Sequence, residues 1–361
     1  MRRSHAVFGS LALPWLILLF AAAAGAIWMA GIKLSDTTDV LSSRLGLGQA
    51  LGGLILLAIA TNLPEIAITF TAALSHNIGI AIGNILGGIA IQTVVLALLD
   101  GFGVRASPLT YRAASLVLVI EGAAVIAMLV VVVMGTRLSP DVIWLHITPP
   151  GIALLALWLA SLWLVNRARR GLPWHEAGNP PDGQPEPRGT AHARKDEAMT
   201  KRGRSTAWVA SVFALAALVT LGGGVVLEES SNGIAGHLGL SGVLFGATFL
   251  AAATSLPEVS TGLASLKLGD YQLAVSDIFG GNAFLPVLFL LATLVSGSAV
   301  LPEAQNSDVY LTALGGLLTV FYICGLLFRP QRQWLRLGPD STLVVVAYAL
   351  GIVGLAFVTH G

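Results

Sequence analysis

The sequence predicts an all-α integral membrane protein of about ten transmembrane helices, arranged as two inverted five-helix repeats. Three observations carry this expectation. The 361 residues are 55% hydrophobic and 11% charged, whereas soluble domains are about one quarter charged. The apolar residues fall into runs of roughly 20, the length that crosses a hydrocarbon core. The strings Thr61-Asn62-Leu63-Pro64-Glu65 and Thr254-Ser255-Leu256-Pro257-Glu258 lie 193 residues apart, each within such a run. The offset persists beyond the strings: Trp15 matches Trp208, Ala81 matches Ala274, Gly87 matches Gly280 and Gly88 matches Gly281.

In chain order the spans are expected near 11–32, 48–73, 78–99, 112–135 and 142–165, then 207–228, 239–266, 271–297, 308–328 and 341–360. The domain plan is therefore a first repeat over 1–165, a linker over 166–206 and a second repeat over 207–361. The linker holds Pro173, Pro180, Pro181, Pro185, Pro187 and nine basic residues, a composition that cannot bury a core of its own. Residues 1–26 also resemble a secretory leader, with Arg2-Arg3 before an apolar stretch. Removing them would leave the first repeat one helix short of its copy, so the span is expected to stay.

Basic residues set the orientation. With residue 1 outside the cytoplasm, the inner segments hold 17 of the 20 Lys and Arg residues, and only Arg2, Arg3 and Arg137 lie outside. The excess of positive charge on the cytoplasmic side fits this topology. It places both termini outside and the linker inside, and the outer loops then carry Glu228, Glu229, Glu303 and Asp308. An odd number of spans per copy forces the second copy to enter the membrane upside down, the plan in which a site forms between the halves near mid-depth. The net charge of +1 offers no nucleic-acid footprint. Cys324, the single cysteine, excludes a disulfide framework and a zinc cluster, and it reads as a small buried apolar residue.

The repeated strings carry the chemistry. Proline lacks an N–H and clashes with the carbonyl four residues back. Pro64 and Pro257 should thus loosen the carbonyls of Ala60 and Ala253, and in lipid a loosened carbonyl must find a partner. Thr61 and Thr254 each place a hydroxyl four residues before a glutamate, on the same helix face. Two carboxylates about 6 Å apart repel by about 3 kcal/mol at an effective dielectric near 20. Glu65 and Glu258, brought together in a dry site, therefore require a metal ion or protons. Hard oxygen donors suit calcium. Zinc and copper are disfavoured, because no His or Cys lies in either string. A site that is neutral only when occupied can change sides only when loaded, which is the behaviour of an exchanger. Intramembrane acids are functional by default, and a duplicated pair with Thr and Pro is expected to be so.

These residues resemble the calcium/cation antiporter superfamily, which includes the sodium/calcium exchangers. Its mark is a Thr-Ser-x-Pro-Glu core in each of two inverted repeats, followed by a glycine-rich helix. The corresponding helices here are Gly83-Asn84-Ile85-Leu86-Gly87-Gly88 and Ser276-Asp277-Ile278-Phe279-Gly280-Gly281-Asn282. The resemblance implies ion ligation by Thr61, Glu65, Thr254 and Glu258, with carbonyls around Ala58 and Ala251. Asn62 and Ser255 stand at the family's Ser position. Gly88 and Gly281 stand where the family usually has Ser. Gln92 and Leu285 stand where it has Asn or Asp. Leu285 cannot ligate, so one half lacks an oxygen donor that sodium would use. Asn84, Gln92, Asp277 and Asn282 are expected as secondary or path-lining residues. Asp277 and Asn84 read equally as path-lining groups or as helix-start caps.

Glu121 has no repeat mate and reads as a hydrogen-bonding residue facing the bundle or as a proton relay. The glycines of the core helices, Gly52, Gly53, Gly83, Gly87, Gly88, Gly280 and Gly281, read as close-packing positions. The resemblance implies an exporter of Ca2+ in exchange for Na+ by alternating access, with Ca2+/H+ exchange as the alternative, and the compactness of the chain leads us to expect a bacterial-type inner membrane. A cation channel using the two glutamates is a further alternative that inverted repeats with kinked helices disfavour. No enzyme constellation is present and no cofactor is implied, since Ca2+, Na+ and H+ are cargo. The partners are inorganic cations and the lipid bilayer.

Overall fold

The computed structural model describes residues 11–44, 59–104, 107–113, 115–173, 203–240, 242–267 and 269–360. Helix is the only extended secondary structure among them, and two isolated bridges complete the set. In lipid a helix satisfies its own backbone, which is why the apolar runs fold this way.

The first half contains α1 (Leu13–Arg44), α2 (Leu63–Leu74), α3 (Ile78–Gly103), α4 (Leu116–Gly135) and α5 (Pro149–Arg169). The second half begins with α6 (Thr206–Leu238). A segmented α7 follows: Gly242–Phe245, a π-helical turn over Gly246–Leu250, and Ala251–Thr254. Then come α8 (Leu256–Lys267), α9 (Tyr271–Phe284), a 3-10 turn over Leu285–Val287, α10 (Leu288–Ser296), α11 (Asn306–Phe328) and α12 (Pro339–His360).

The offset of 193 aligns the first helices of the two halves residue for residue, and the last two pairs of helices start 190 residues apart. α6 begins where α1 begins, α8 begins and ends where α2 does, and α9 with α10 spans the same stretch as α3. Pro286 has Thr93 as its repeat mate, so the second copy breaks where the first runs straight. Even the connections repeat. Trp144 pairs with Ile147 before α5 and Trp334 with Leu337 before α12. Leu145, His146, Leu335 and Arg336 take positive φ in the two turns, and a proline opens each following helix, where a missing N–H costs nothing.

Eight described helices are long and apolar enough to cross a membrane. The other two expected spans, 48–73 and 239–266, are interrupted at the repeated strings, and residues 48–58 lie outside the described residues. The most buried span is Ile78–Gly103 at 83%, followed by Tyr271–Ser296 at 67%, while those of α6 and α12 are each only 22% buried. The glycine-rich helices therefore form the centre and the remaining helices present apolar side chains to lipid.

Several expectations need correction. Glu228 and Glu229 are not loop residues: α6 is 33 residues long and continues past both of them, about 50 Å of helix against a hydrocarbon core of about 30 Å. Both are buried, and Asn232 Nδ2 donates to Glu228 Oε1 at 3.3 Å. Cys324 is exposed on the outer face of α11 rather than buried. α5 runs four residues past 165, to Arg169. Gly52, Gly53, Ala58 and linker residues 174–202 lie outside the described residues.

Candidate functional site

Each repeated string breaks its helix at the same place. Residues 59–61 are helical, Asn62 turns with φ −87° and ψ 14°, and α2 restarts with Leu63-Pro64. In the second copy Ser255 turns with φ −79° and ψ 2° before α8 restarts with Leu256-Pro257. Proline is pre-set for the first turn of a helix and cannot continue the preceding one. The restarted helices take up the carbonyls at the break, with Ile66 N on Asn62 O at 3.0 Å and Val259 N on Ser255 O at 3.1 Å. Glu65 and Glu258 thus stand in the first turn of α2 and α8, where the helix dipole favours negative charge. The π-helical turn at Gly246–Leu250 adds a second irregularity just ahead of the second string.

Seats for these breaks come from glycines that the repeat itself pairs. A Cβ on Gly31 would lie 2.9 Å from Pro257 Cβ, and one on Gly224 would lie 2.9 Å from Pro64 O and 2.8 Å from Ala67 Cβ. Gly31 and Gly224 are 193 residues apart, so α1 seats the second string and α6 seats the first. Sequence reasoning passed over this pair, although the offset was available to find it. Gly87 approaches the backbone of Ala247 so closely that no side chain fits between α3 and α7. Gly280, in contrast, has nothing within 4 Å of a Cβ, so close packing does not account for it.

The two halves meet along a pseudo-twofold axis between α3 and α9. Asn282 Nδ2 donates to the carbonyl of Ile89, its own repeat mate, at 3.3 Å, and lies 3.4 Å from Thr93 Oγ1. One turn away the contacts cross symmetrically. A Cβ on Gly88 would meet Leu285 Cδ1 at 3.4 Å, and one on Gly281 would meet Gln92 Oε1 at 3.5 Å. The Asn62 amide occupies the space over Gly281, with Nδ2 3.0 Å from that Cβ position. A larger residue in one string is thus matched by a glycine on the helix facing it.

The structure brings the expected residues to this axis. Thr61, Asn62, Glu65, Asn84, Gln92, Thr254, Ser255, Glu258, Asp277 and Asn282 are all buried. Glu258 is close enough to Glu65 and to Asp277 to feel both charges. Thr254 faces Glu65 and Thr61 faces Glu258, so each hydroxyl addresses the acid of the opposite half. Gln92 Nε2 lies 3.5 Å from Glu258 Oε1, and Thr254 Oγ1 lies 3.5 Å from Asn84 Oδ1. Both oxygens of Glu65 and Oε2 of Glu258 lack a hydrogen-bond partner of good geometry. The Gln92 contact has no mirror image at Glu65, because Leu285 occupies that place.

Other residues are placed differently from the expectation. Helix capping at the start of α9 falls to Asp270, whose Oδ1 accepts from Leu273 N at 2.9 Å. Asp277 lies almost two turns further on and accepts from Thr261 Oγ1 at 2.5 Å. Asp277 and its mate Asn84 are therefore side chains of the helix interior, beside the glutamates, and not caps. The Ala251 carbonyl is occupied by the amide of Ser255 at 3.0 Å and by the hydroxyls of Ser255 and Thr254 at 2.7 and 3.2 Å. Glu121 stands in the second turn of α4 and pairs with Arg169 at the end of α5, Nη2 to Oε1 3.0 Å. Among the described residues no three His, Cys, Asp or Glu side chains converge as a metal centre. A cation here would need hydroxyl, amide and backbone oxygens alongside the two glutamates, which is the donor set of a hard ion.

The profile of the sodium/calcium exchanger protein family matches the chain twice, at residues 15–166 and 207–358. Inner membrane protein YrbG of Escherichia coli is 26% identical over 281 residues, covering 76% of this chain and 78% of that protein. Two kinds of solved exchanger share the fold. The sodium-calcium exchanger NCX_Mj superposes with a TM-score of 0.56 at 17% identity, covering 96% of this chain and 99% of its own. The H+/Ca2+ exchanger CAX superposes with a TM-score of 0.61 at 12% identity, covering 99% and 93%. With both halves matched by one profile, an integral membrane fold and paired acidic strings at the axis, the chain belongs to the sodium/calcium exchanger family of cation antiporters, which are transporters and not enzymes.

Proposed function

We propose that this protein is a secondary antiporter that exports Ca2+ in exchange for Na+ by alternating access, holding the ion between Glu65 and Glu258. Thr61, Thr254, Gln92 and the carbonyls of Ala60 and Ala253, which Pro64 and Pro257 have no N–H to engage, supply the remaining oxygens, and Asn62, Asn84, Ser255, Asp277 and Asn282 line the site. The observation that carries this reading is the pair of facing, buried carboxylates with unpartnered oxygens. At 6 Å such charges repel by about 3 kcal/mol at an effective dielectric near 20, and a cation between them reverses the sign. All the lining side chains are sealed from solvent, so this geometry suits the occluded stage of a cycle in which α1 and α6 pack across the broken helices of the opposite repeat. The excess of basic residues supports a cytoplasmic linker in a bacterial inner membrane, with both termini outside.

Proton coupling is the second reading, and Leu285 favours it. The donor missing opposite Gln92 leaves Glu65 with fewer neighbours than Glu258, which suits an acid that exchanges a proton better than a full sodium shell. The two readings separate in liposomes loaded with calcium-45. Release driven by an inward sodium gradient at fixed pH supports sodium coupling. Release driven only by a proton gradient supports the second reading, and release without any counter-ion gradient overturns both in favour of a channel.

A further inference from the structure

A second group of buried oxygens lies outside the paired strings, at the end of the bundle where α3 and α11 finish and α12 begins. Asp100, near the end of α3, accepts from Leu109 N at 2.7 Å and from Gly338 N at 2.6 Å, which ties two connections together. Asp340, in the first turn of α12, faces the Thr110 hydroxyl, its own amide and that of Ser341, none of them in good alignment. It is 93% buried by its 7% exposure, and neither of its oxygens has a hydrogen-bond partner of good geometry. It sits between two glycines, with Oδ2 2.5 Å from a Cβ position on Gly325 and Oδ1 2.6 Å from one on Gly338. Asp100 Oδ2 lies 3.3 Å from that same Gly338 position, so the two carboxylates approach one point.

Three hydroxyls surround them. Tyr322 is fully buried, its OH is unpartnered, and it lies close enough to feel both acids. Thr110 lies beside Asp340, and Ser341 lies beside Asp100, and neither hydroxyl forms a well-aligned bond. The described residues give neither acid an ion-pair partner. Arg329 stacks on the ring of Tyr111 and donates to its carbonyl, and Arg112 lies over the ring of Tyr271 and donates to Ser107. The N-terminus of α12 also favours Asp340 as an anion.

We propose that Asp100, Asp340, Tyr322, Thr110 and Ser341 form a second cation site, distinct from the exchange site and selective for a hard divalent ion of the calcium type. Two carboxylates balance a divalent charge, and every donor is a hard oxygen, as such an ion prefers. Neither acid has an acidic repeat mate: the offset of 193 sets Thr293 against Asp100, and the helix starts Pro149 and Pro339 set Pro150 against Asp340. The group therefore lacks the twofold design of the exchange site, and it would clamp three helix ends at the face where α5 ends and α6 begins.

Calcium-45 bound per chain at equilibrium, on the full-length protein in detergent, tests the site. The Glu65→Gln, Glu258→Gln double variant should still bind one calcium, and adding Asp340→Asn should weaken that binding at least about tenfold, as loss of a charged ligand does. Tyr322→Phe, which removes a single hydroxyl, should weaken it in the same direction and serves where the aspartate change prevents folding. No calcium bound by the double variant, or unaltered binding once Asp340→Asn or Tyr322→Phe is added, overturns the proposal.

Discussion

Gly224→Ala should damage this protein, while Gly222→Ala, two residues earlier on the same helix, should not. A methyl on Gly224 would stand 2.8 Å from Ala67 Cβ and 2.9 Å from Pro64 O, whereas one on Gly222 meets nothing within 4 Å. The first is roughly 0.7 Å inside ordinary carbon–carbon contact, and the backbone of a broken helix is the partner that must yield. Overpacking of this kind costs about 1–3 kcal/mol. Replacing glycine within a helix returns up to about 1 kcal/mol in both variants. The two alanine variants should therefore differ by about 1–3 kcal/mol in the same helix, roughly 2–4 °C in unfolding temperature per kcal/mol. Calcium flux should fall only in Gly224→Ala, because Pro64 precedes Glu65 and its displacement moves a carboxylate that must be held within about 0.5 Å. Thermal unfolding in detergent and flux in proteoliposomes provide the measurements. Equal stability and flux in the two variants would refute the seating role given to Gly224, and with it that of its mate Gly31.

Gln92→Leu, which makes the second-turn positions of both halves apolar, should raise the calcium concentration for half-maximal flux about tenfold, since a hydrogen bond to a charged group contributes about 1.5–3 kcal/mol. An unchanged value would remove Gln92 from the site. Arg169→Ala should lower the unfolding temperature, because it leaves the buried Glu121 without this partner, a loss that costs about 3–5 kcal/mol in buried pairs. Adding Glu121→Leu should restore much of it, and flux should persist in the double variant. Lost flux with restored stability would point instead to a proton relay through Glu121.

Much of the fold was legible because membrane physics is restrictive. Apolar length gave the spans, and the offset of 193 gave their pairing, down to the first residues of α6, α8 and α9. The candidate site was legible for a related reason: a carboxylate and a proline inside an apolar run each need a compensation, and finding both twice pointed to the meeting of the two halves. What escaped depended on contacts between helices. Hydropathy ends a span at the first acids, so Glu228 and Glu229 were assigned to a loop although α6 continues through them. Asp277 read equally as a cap or a path-lining group because polarity alone does not separate the two; it stands in the second turn of a helix that starts at Tyr271, and Asp270 does the capping. Glu121 had no visible partner in sequence, since Arg169 lies 48 residues away on α5. The grouping of Asp100, Tyr322 and Asp340 follows no repeat and appears only once three helix ends are assembled.

The most direct test of a single shared cation cage at the axis is the stoichiometry of calcium-45 binding in Glu65→Gln, Glu258→Gln and their double variant, each in the Asp340→Asn background so that only this location is counted. If one ion is held jointly by both halves, either single change removes the bound calcium and the double change removes no more. If each single variant keeps half of the calcium or all of it, the glutamates act separately and the shared cage does not exist.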